Sequence, residues 1–163
     1  MPASQSTTDA HATTQRRLHE VGLSLPPVSR PVASYVPAAR TGNLIYTSGQ
    51  LPLVAGALNH VGKVGAGVSV EEAVTAARVC ALNALAAIAE LADLDAIVRV
   101  VKVVGFVASE RGFNQQPQVI NGASDLLVHA FGDAGKHARS AVGVAELPLD
   151  APVEIELIVD VRG

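Results

Sequence analysis

Apolar residues recur along this chain at two spacings, and the spacing distinguishes its helices from its strands. Steps of three and four over residues 69–92 predict a helix buried along one stripe, formed by Val74, Ala77, Ala81, Leu85 and Ile88. Ser69 and Glu72 match a capping box, which places the start of this helix. A second helix is predicted over residues 117–131, and Gly132 is its stop signal.

Strands are indicated by β-branched runs and by the alternation of apolar and polar residues. Residues 97–107 are apolar on both faces, which is typical of a strand inside a sheet. Four further strands are predicted, over residues 33–39, 44–53, 138–146 and 153–161. The order β-β-α-β-α-β-β predicts an α+β fold in two layers, with two helices on one face of a sheet. We expect another subunit to cover the other sheet face, most simply in a closed ring.

The first 31 residues are predicted to lie outside the packed domain. The first dozen are polar and hold too little apolar mass to offset the entropy of ordering, so a disordered tail is expected. A short helix is predicted over residues 14–21, and Pro26, Pro27 and Pro31 then favour an extended connector. Residues 32–163 are predicted to form a single domain.

Composition narrows the class of protein. A net charge of −3 and five aromatic residues, without a basic run, argue against a nucleic-acid partner. Nothing approaches the run of about 20 apolar residues that a membrane helix needs, so no membrane partner is expected. The only cysteine is Cys80, which excludes an internal disulfide and fits a reducing compartment. Because the N-terminus also lacks an apolar signal segment, a cytoplasmic protein is predicted.

The last two predicted strands carry the residues with the clearest potential for chemistry. Arg139 shares a strand face with the small residues Ala141 and Gly143, and an arginine fork suits carboxylate recognition. Glu154 and Glu156 share one face of the following strand, and desolvation of one would raise its pKa towards the range of a useful base. A cation beside a carboxylate could bind a small acid and activate water. A solvated arginine and a wet sheet face explain the same pattern.

Other polar residues are candidates with equally ordinary alternatives. Tyr35 could close over a small ligand or lie in a core or an interface. Ser48 and Gly49 interrupt an apolar strand, which exposes backbone groups to a ligand or marks a bulge. Asn121 is either a functional amide or a partner for the local backbone. The five histidines lack metal-ligand spacing, and neither a phosphate loop nor a G-x-S-x-G elbow is present, so no metal or cofactor is expected.

Four segments together resemble the Rid family, also called the YjgF or L-PSP-endoribonuclease-like family. They are SYVPA at 34–38, TGNLIYTSGQLPL at 41–53, VVKVVGFVAS at 100–109, and ARSAVGV followed by LPLDAPVEIELIV within 138–159. The resemblance covers most of residues 32–161 and is strongest in the RidA-like arginine segment and the glutamate strand that follows it.

The resemblance implies a chorismate mutase-like fold with one mixed sheet, assembled as a homotrimer with three clefts between subunits. It also implies hydrolysis of enamines and imines, such as 2-aminoacrylate, to 2-oxo acids and ammonia without a cofactor, the activity of a 2-iminobutanoate/2-iminopropanoate deaminase. By motif, Arg139 corresponds to the residue that binds the substrate carboxylate and Glu154 to the one that positions water. The substrate site would be completed by Tyr35, Ser48, Gly49, Asn121 and Ala141.

Some residues depart from the family pattern and leave other functions open. Gly143 stands where typical deaminases carry an acidic residue, and the 112–118 segment is longer than usual. The alternative is a trimer that binds a small carboxylate or regulates a partner without turnover. The presence of both Arg139 and Glu154 favours the enzyme, because a binding protein needs only the arginine. A ribonuclease is disfavoured by the acidic composition and by the few aromatic residues.

Overall fold

The fold is taken from a computed structural model of the chain, which describes residues 12–31 and 33–163. In these ranges three α-helices and seven strands follow the predicted order, with the short N-terminal helix in the place predicted for it and one extra hairpin. The helices are α1 (Ala12–Glu20), α2 (Val70–Ala89) and α3 (Gln116–Phe131). The strands are β1 (Ala38–Thr41), β2 (Leu44–Thr47), β3 (Leu53–Val54), β4 (Ala57–Leu58), β5 (Ile97–Ala108), β6 (Ala138–Val144) and β7 (Val153–Val161).

Five strands form one mixed sheet in the order β1-β2-β7-β5-β6. Three of its strand pairs are antiparallel, and the pair of β5 with β6 is parallel because α3 carries the chain back to the same end. Strands β3 and β4 form a separate hairpin at and just beyond the end of the strand predicted over residues 44–53. The α+β, chorismate mutase-like architecture expected from the sequence is confirmed.

Helices α2 and α3 cover one face of the sheet and enclose the core. The start of α2 has the predicted capping box, in which Ser69 Oγ accepts from the Glu72 N–H and the Glu72 carboxylate accepts from the Ser69 N–H. The two helices approach closely at Gly122, where an added Cβ would lie 2.1 Å from the Val74 carbonyl oxygen. The buried side chains of β7 beneath them are Val153, Ile155, Leu157, Val159 and Val161.

The opposite face of the sheet is left open by the described residues. Tyr46 of β2 and Val142 of β6 are 42% and 44% exposed on this side, and Phe106 of β5 is only partly buried. Large apolar groups on an uncovered sheet face are typical of a surface that another molecule contacts. The predicted partner subunit would meet this face.

The first helix belongs to the same core, contrary to the prediction that the packed domain begins near residue 32. Leu18 is fully buried in the main hydrophobic cluster, and Arg17 donates to the Ala130 carbonyl oxygen at 3.0 Å. The Thr14 N–H and hydroxyl both donate to the Asp95 carboxylate. Connector prolines therefore do not mark the edge of the packed region. The predicted disordered tail falls mainly on residues 1–11, outside the described residues.

The first two strands are displaced or shorter than the alternation predicts. Strand β1 begins at Ala38, not residue 33, and β2 ends at Thr47, not residue 53. The Thr47 hydroxyl accepts the Leu157 N–H at 2.9 Å, so a side chain replaces the backbone partner there and the ladder ends. The TSGQ segment is thus an irregular strand end. This agrees with the structural interpretation of its sequence, a strand irregularity, which was the alternative to a ligand site.

Helix α2 is also the one described helix whose length and hydropathy would allow it to cross a membrane. Its most apolar window is 67% buried inside the fold, however. That burial is typical of the core helix of a folded domain.

Candidate active site

Glu154 is placed on the open face of the sheet at the point where β2 has ended. Backbone hydrogen bonds between Gln50 and Ile155, of 2.8 and 3.0 Å, continue the pairing to this point. They bring Gly49 beside the glutamate, so that a Cβ on Gly49 would lie 1.8 Å from Glu154 Oε1. Only glycine leaves room for the carboxylate here.

The pKa of Glu154 is raised above its ordinary value. Partial burial is the larger cause, because it disfavours the charged form, and the neighbouring charge of Glu156 adds to it. A carboxylate with a raised pKa accepts a proton more readily at neutral pH, which is the property a general base requires. The predicted sharing of one strand face by Glu154 and Glu156 is confirmed.

Arg139 lies on the helix-covered side of β6, where its guanidinium is held by α3. Its backbone is in register with the buried Val103 of β5. Its Nη1 donates to Asn121 Oδ1 at 2.8 Å and to Ser124 Oγ at 3.2 Å. The described residues provide no partner for Nε and Nη2, so one edge of the fork can still bind a carboxylate.

A short hydrogen-bond chain fixes the arginine further. His137 Nδ1 lies 2.6 Å from the Gly135 carbonyl oxygen, which can only accept, so the proton is on Nδ1. In the neutral ring Nε2 is then an acceptor, and it lies 2.9 Å from Ser124 Oγ. The serine hydroxyl therefore donates to His137 and accepts from Arg139. Sequence reasoning missed Ser124 and His137, although they lie three residues after Asn121 and two before Arg139.

One expectation is corrected here, because a single chain does not place Arg139 beside Glu154. Strands β6 and β7 are not neighbours, since β5 lies between them. Arg139 is on the covered face of the sheet, whereas Glu154 is in register with Phe106 on the open face. The alternation of residues showed which side chains of one strand share a face, but it did not show which strands are adjacent.

The remaining predicted site residues separate into two groups. Tyr35 and Gly49 line a cavity of about 410 Å³, together with Gln50 and Leu149. Ser48 is not part of that lining. Its N–H and hydroxyl donate to the carbonyl oxygens of Pro37 and Val36, so it fixes the segment that carries Tyr35.

Asn121 and Ala141 belong to the Arg139 side. Asn121 accepts from the guanidinium, so it is a positioning residue for the arginine in this chain. Ala141 is partly buried and packs against the core behind the arginine. The two halves of the predicted site are therefore each well formed and are separated by the sheet.

Gly143 and the 112–118 segment, the two departures from the family pattern, are in contact with each other in the structure. The space of a Cβ on Gly143 is occupied by the Gln116 side chain, whose Nε2 lies 2.8 Å from that position. Gln116 comes from the long 112–118 segment and also donates to the Phe113 carbonyl oxygen at 2.9 Å. The longer segment thus places an amide where an acidic side chain of β6 would otherwise lie.

Two residues that the sequence reasoning did not single out also line the 410 Å³ cavity: Arg30 and Asn83. Asn83 is 7% exposed, and its Nδ2 donates to the carbonyl oxygens of Leu51 and Leu53. The signal for Asn83 was present, because it is the one polar residue in the apolar run from Cys80 to Ile88. An amide in a buried helix needs partners, and here it fixes the loop at the cavity wall.

Other reactive residue types are in structural positions. Cys80 is buried, and its burial raises the pKa of the thiol, so it has the character of inert core. Among the described residues no group of three or more His, Cys, Asp or Glu side chains could hold a metal ion.

Comparisons with known proteins agree with this architecture. Residues 15–161 match the family described as "YjgF/chorismate mutase-like, putative endoribonuclease". The chain is 43% identical over 149 residues to "Protein TCP17" of Trypanosoma cruzi, covering 89% of this chain and 92% of that protein.

Two solved structures are similar over nearly the whole chain. Protein Atu1372 of Agrobacterium tumefaciens, described as of unknown function, is 45% identical with a TM-score of 0.86, covering 94% of this chain and 95% of that one. A "putative endoribonuclease" of Shewanella oneidensis is 32% identical with a TM-score of 0.88, covering 91% and 99%. The chain therefore belongs to the YjgF/chorismate mutase-like family, as its arginine segment and glutamate strand indicated.

Proposed function

We propose that this protein hydrolyses reactive enamines and imines of small 2-amino acids to 2-oxo acids and ammonia, without a cofactor. The observation that carries the proposal is the half-buried Glu154 carboxylate with its raised pKa, which lies in the space left by the missing side chain of Gly49. Arg139 supports it, because Asn121 and Ser124 hold the guanidinium with an edge still available to a carboxylate.

The chemistry needs only groups that this chain supplies. An enamine such as 2-aminoacrylate tautomerises to an imine, whose carbon is electrophilic. Arg139 binds the substrate carboxylate and so orients that carbon before attack. Glu154 accepts a proton from water as the C–O bond forms, which gives a carbinolamine. Glu154 returns this proton to the imine nitrogen, which completes the carbinolamine. It then transfers the hydroxyl proton to the same nitrogen as the C–N bond breaks, which releases ammonia and leaves the 2-oxo acid.

Because Arg139 and Glu154 lie on opposite faces of the sheet, we propose that each site combines the arginine of one subunit with the glutamate of another. A closed homotrimer with clefts between subunits would meet this requirement, and it would also cover the apolar open face. The small-molecule substrate would bind in these clefts.

A mixing experiment tests the activity and the shared site together. Arg139→Ala and Glu154→Gln are purified separately, each expected to lose at least about 100-fold in kcat/KM for freshly generated 2-aminoacrylate. They are then unfolded, mixed in equal amounts and refolded. Random assembly in a ring restores about one quarter of the wild-type activity, because that fraction of clefts receives both native residues.

Each outcome has a distinct meaning. If both single variants and their mixture are inactive, the two residues act within one chain's site. The proposal of a cleft shared between subunits would then be wrong. Full activity of both single variants would remove these residues from the chemistry. Refolded wild type, treated in parallel, gives the reference activity, and Arg40→Gln is a control because Arg40 only donates to the Gly42 carbonyl oxygen.

The second candidate function is binding without turnover. It is favoured by the fixed Arg139 fork, which is sufficient to bind a small carboxylate whatever Glu154 does. Wild type that binds a 2-oxo acid, as measured by calorimetry, but does not accelerate the hydrolysis of any imine would support this function. Loss of binding in Arg139→Ala is expected in either case.

A further inference from the structure

The 410 Å³ cavity beside Glu154 contains one cationic group that the proposed reaction does not use. Arg30, from the connector between α1 and β1, is the only charged residue among those that line it. Gly49 borders this cavity, and the Glu154 carboxylate fills the space that a Gly49 side chain would take.

The cavity is larger than a three-carbon substrate requires. Its volume of about 410 Å³ lies in the range of roughly 300–1,000 Å³ typical of sites for much larger small molecules. Tyr35 and Leu149, which are 57% and 67% exposed, form part of its wall and would be covered by a longer ligand. The shape of the site thus favours a substrate with a side chain that extends beyond the reacting carbon.

The Arg30 guanidinium is available to such a ligand. The residues described in the structure supply neither a hydrogen bond nor an ion pair to Arg30. A guanidinium without a protein partner, in a cavity without a carboxylate in its lining, is suited to bind an anion.

Asn83 adds a polar group to the same cavity. Its amide donates two hydrogen bonds to the adjacent loop, at 2.9 and 3.1 Å, while no described residue donates to its Oδ1. Because no fully buried side-chain N or O atom among the described residues lacks a partner, this oxygen is not completely buried. It is an acceptor that fits the N–H of an imine or enamine.

We propose that Arg30 binds a second anionic group of the substrate, so that the site selects 2-imino acids whose side chain ends in a carboxylate. This inference deepens the proposed function and rests on it for the class of ligand. Arg139 of a neighbouring subunit would bind the carboxylate next to the reacting carbon, and Arg30 the distal one. The N-terminal connector would then determine specificity.

The test uses stable product acids, so it does not depend on turnover. The full chain is titrated by calorimetry with 2-oxoglutarate, which has the distal carboxylate, and with 2-oxobutanoate, which does not. Wild type is expected to bind 2-oxoglutarate about tenfold more tightly, the effect of one charge-assisted contact. Arg30→Gln should abolish this preference and leave the affinity for 2-oxobutanoate unchanged, while Arg30→Lys should retain part of it. Arg40→Gln is the matched control, and it should behave as wild type.

The outcomes separate this inference from the proposed function. Equal binding of the two acids by wild type, no binding of either, or a preference that survives in Arg30→Gln would overturn the role of Arg30, even in an active enzyme. A preference that depends on Arg30, in a protein that hydrolyses no imine, would retain the anion site and remove only the reaction.

Discussion

The two faces of the sheet differ in what their residues do, and strand β7 shows the difference along a single segment. Its residues on the covered face, such as Ile155 and Leu157, are buried almost completely beneath α2 and α3. Glu154 and Glu156 alternate with them on the open face, where the pKa of Glu154 is raised. Along β7, one face therefore stabilises the fold, while the other carries charged groups at a cost in stability. Four substitutions, two on glycines and two on glutamates, test this difference between the faces.

The largest effect on folding is expected from Gly122→Ala on the covered face. The added methyl group would lie 2.1 Å from the Val74 carbonyl oxygen, which is backbone and cannot rotate away. We expect a loss of about 3 kcal/mol in the free energy of unfolding, measured with urea, although alanine is favoured in a helix. Gly67→Ala, whose new Cβ meets nothing within 4 Å, is the control. Equal stability of the two variants would show that the helices can separate at no cost.

Gly49→Ala should have the opposite consequence on the open face. Its methyl group would meet Glu154 Oε1, and the carboxylate can swing away because it is only half-buried. We expect roughly a 100-fold loss of kcat/KM, as for removal of a positioned catalytic group, with a change of less than about 1 kcal/mol in stability. Unchanged activity would mean that the position of Glu154 is unimportant to the reaction.

Glu154→Gln should stabilise the protein at neutral pH. A pKa raised on folding means that the native state binds the proton more tightly, so stability falls as pH rises above the ordinary value of 4.5. Removing the charge should recover at most about 1 kcal/mol, because solvent screens a half-exposed group. Thermal unfolding at pH 7 and below pH 4 should show a gain at the higher pH that is absent at the lower. A loss of stability at pH 7 would contradict the repulsive environment of this carboxylate.

The smallest effect is expected from Glu156→Gln, which tests the electrostatic contribution alone. Loss of the neighbouring charge should lower the pKa of Glu154, and activity that requires its ionised form should begin at lower pH. The acidic limb of the kcat/KM profile would therefore move to lower pH, while the plateau stays near the wild-type value. Since burial is the larger cause of the raised pKa, only part of the displacement should disappear. If the acidic limb of the kcat/KM profile does not move, the charge of Glu156 does not contribute to the raised pKa of Glu154.

Much of the fold was predictable from the sequence because it depends on local periodicity. The capping box at Ser69, the interior strand after residue 97 and the alternation of β7 all follow from contacts within one element. The relation of Arg139 to Glu154 depends on which strands are neighbours. A helix between β5 and β6 was a signal for a parallel pair, since such a crossover returns the chain to the same end of the sheet.

The candidate site was only partly predictable for a different reason. Tyr35 and Gly49 were identified by motif, and they line the same cavity. Arg30 lies in a proline-rich connector, where neither periodicity nor motif places a side chain relative to the sheet. Its position depends on the packing of α1, which long-range contacts such as Thr14 with Asp95 determine.

The connector that carries Arg30 is a tether attached at both ends. Asp95 accepts the Thr14 N–H before it, and Ser48 holds the Val36 carbonyl oxygen after it. A chain fixed at both ends explores far less volume than a free terminus, so the effective concentration of its guanidinium at the cavity is high. Deleting α1 would release one end without changing a single residue of the cavity. The effective concentration of the Arg30 guanidinium at the cavity would fall, and an anionic ligand would bind there more weakly.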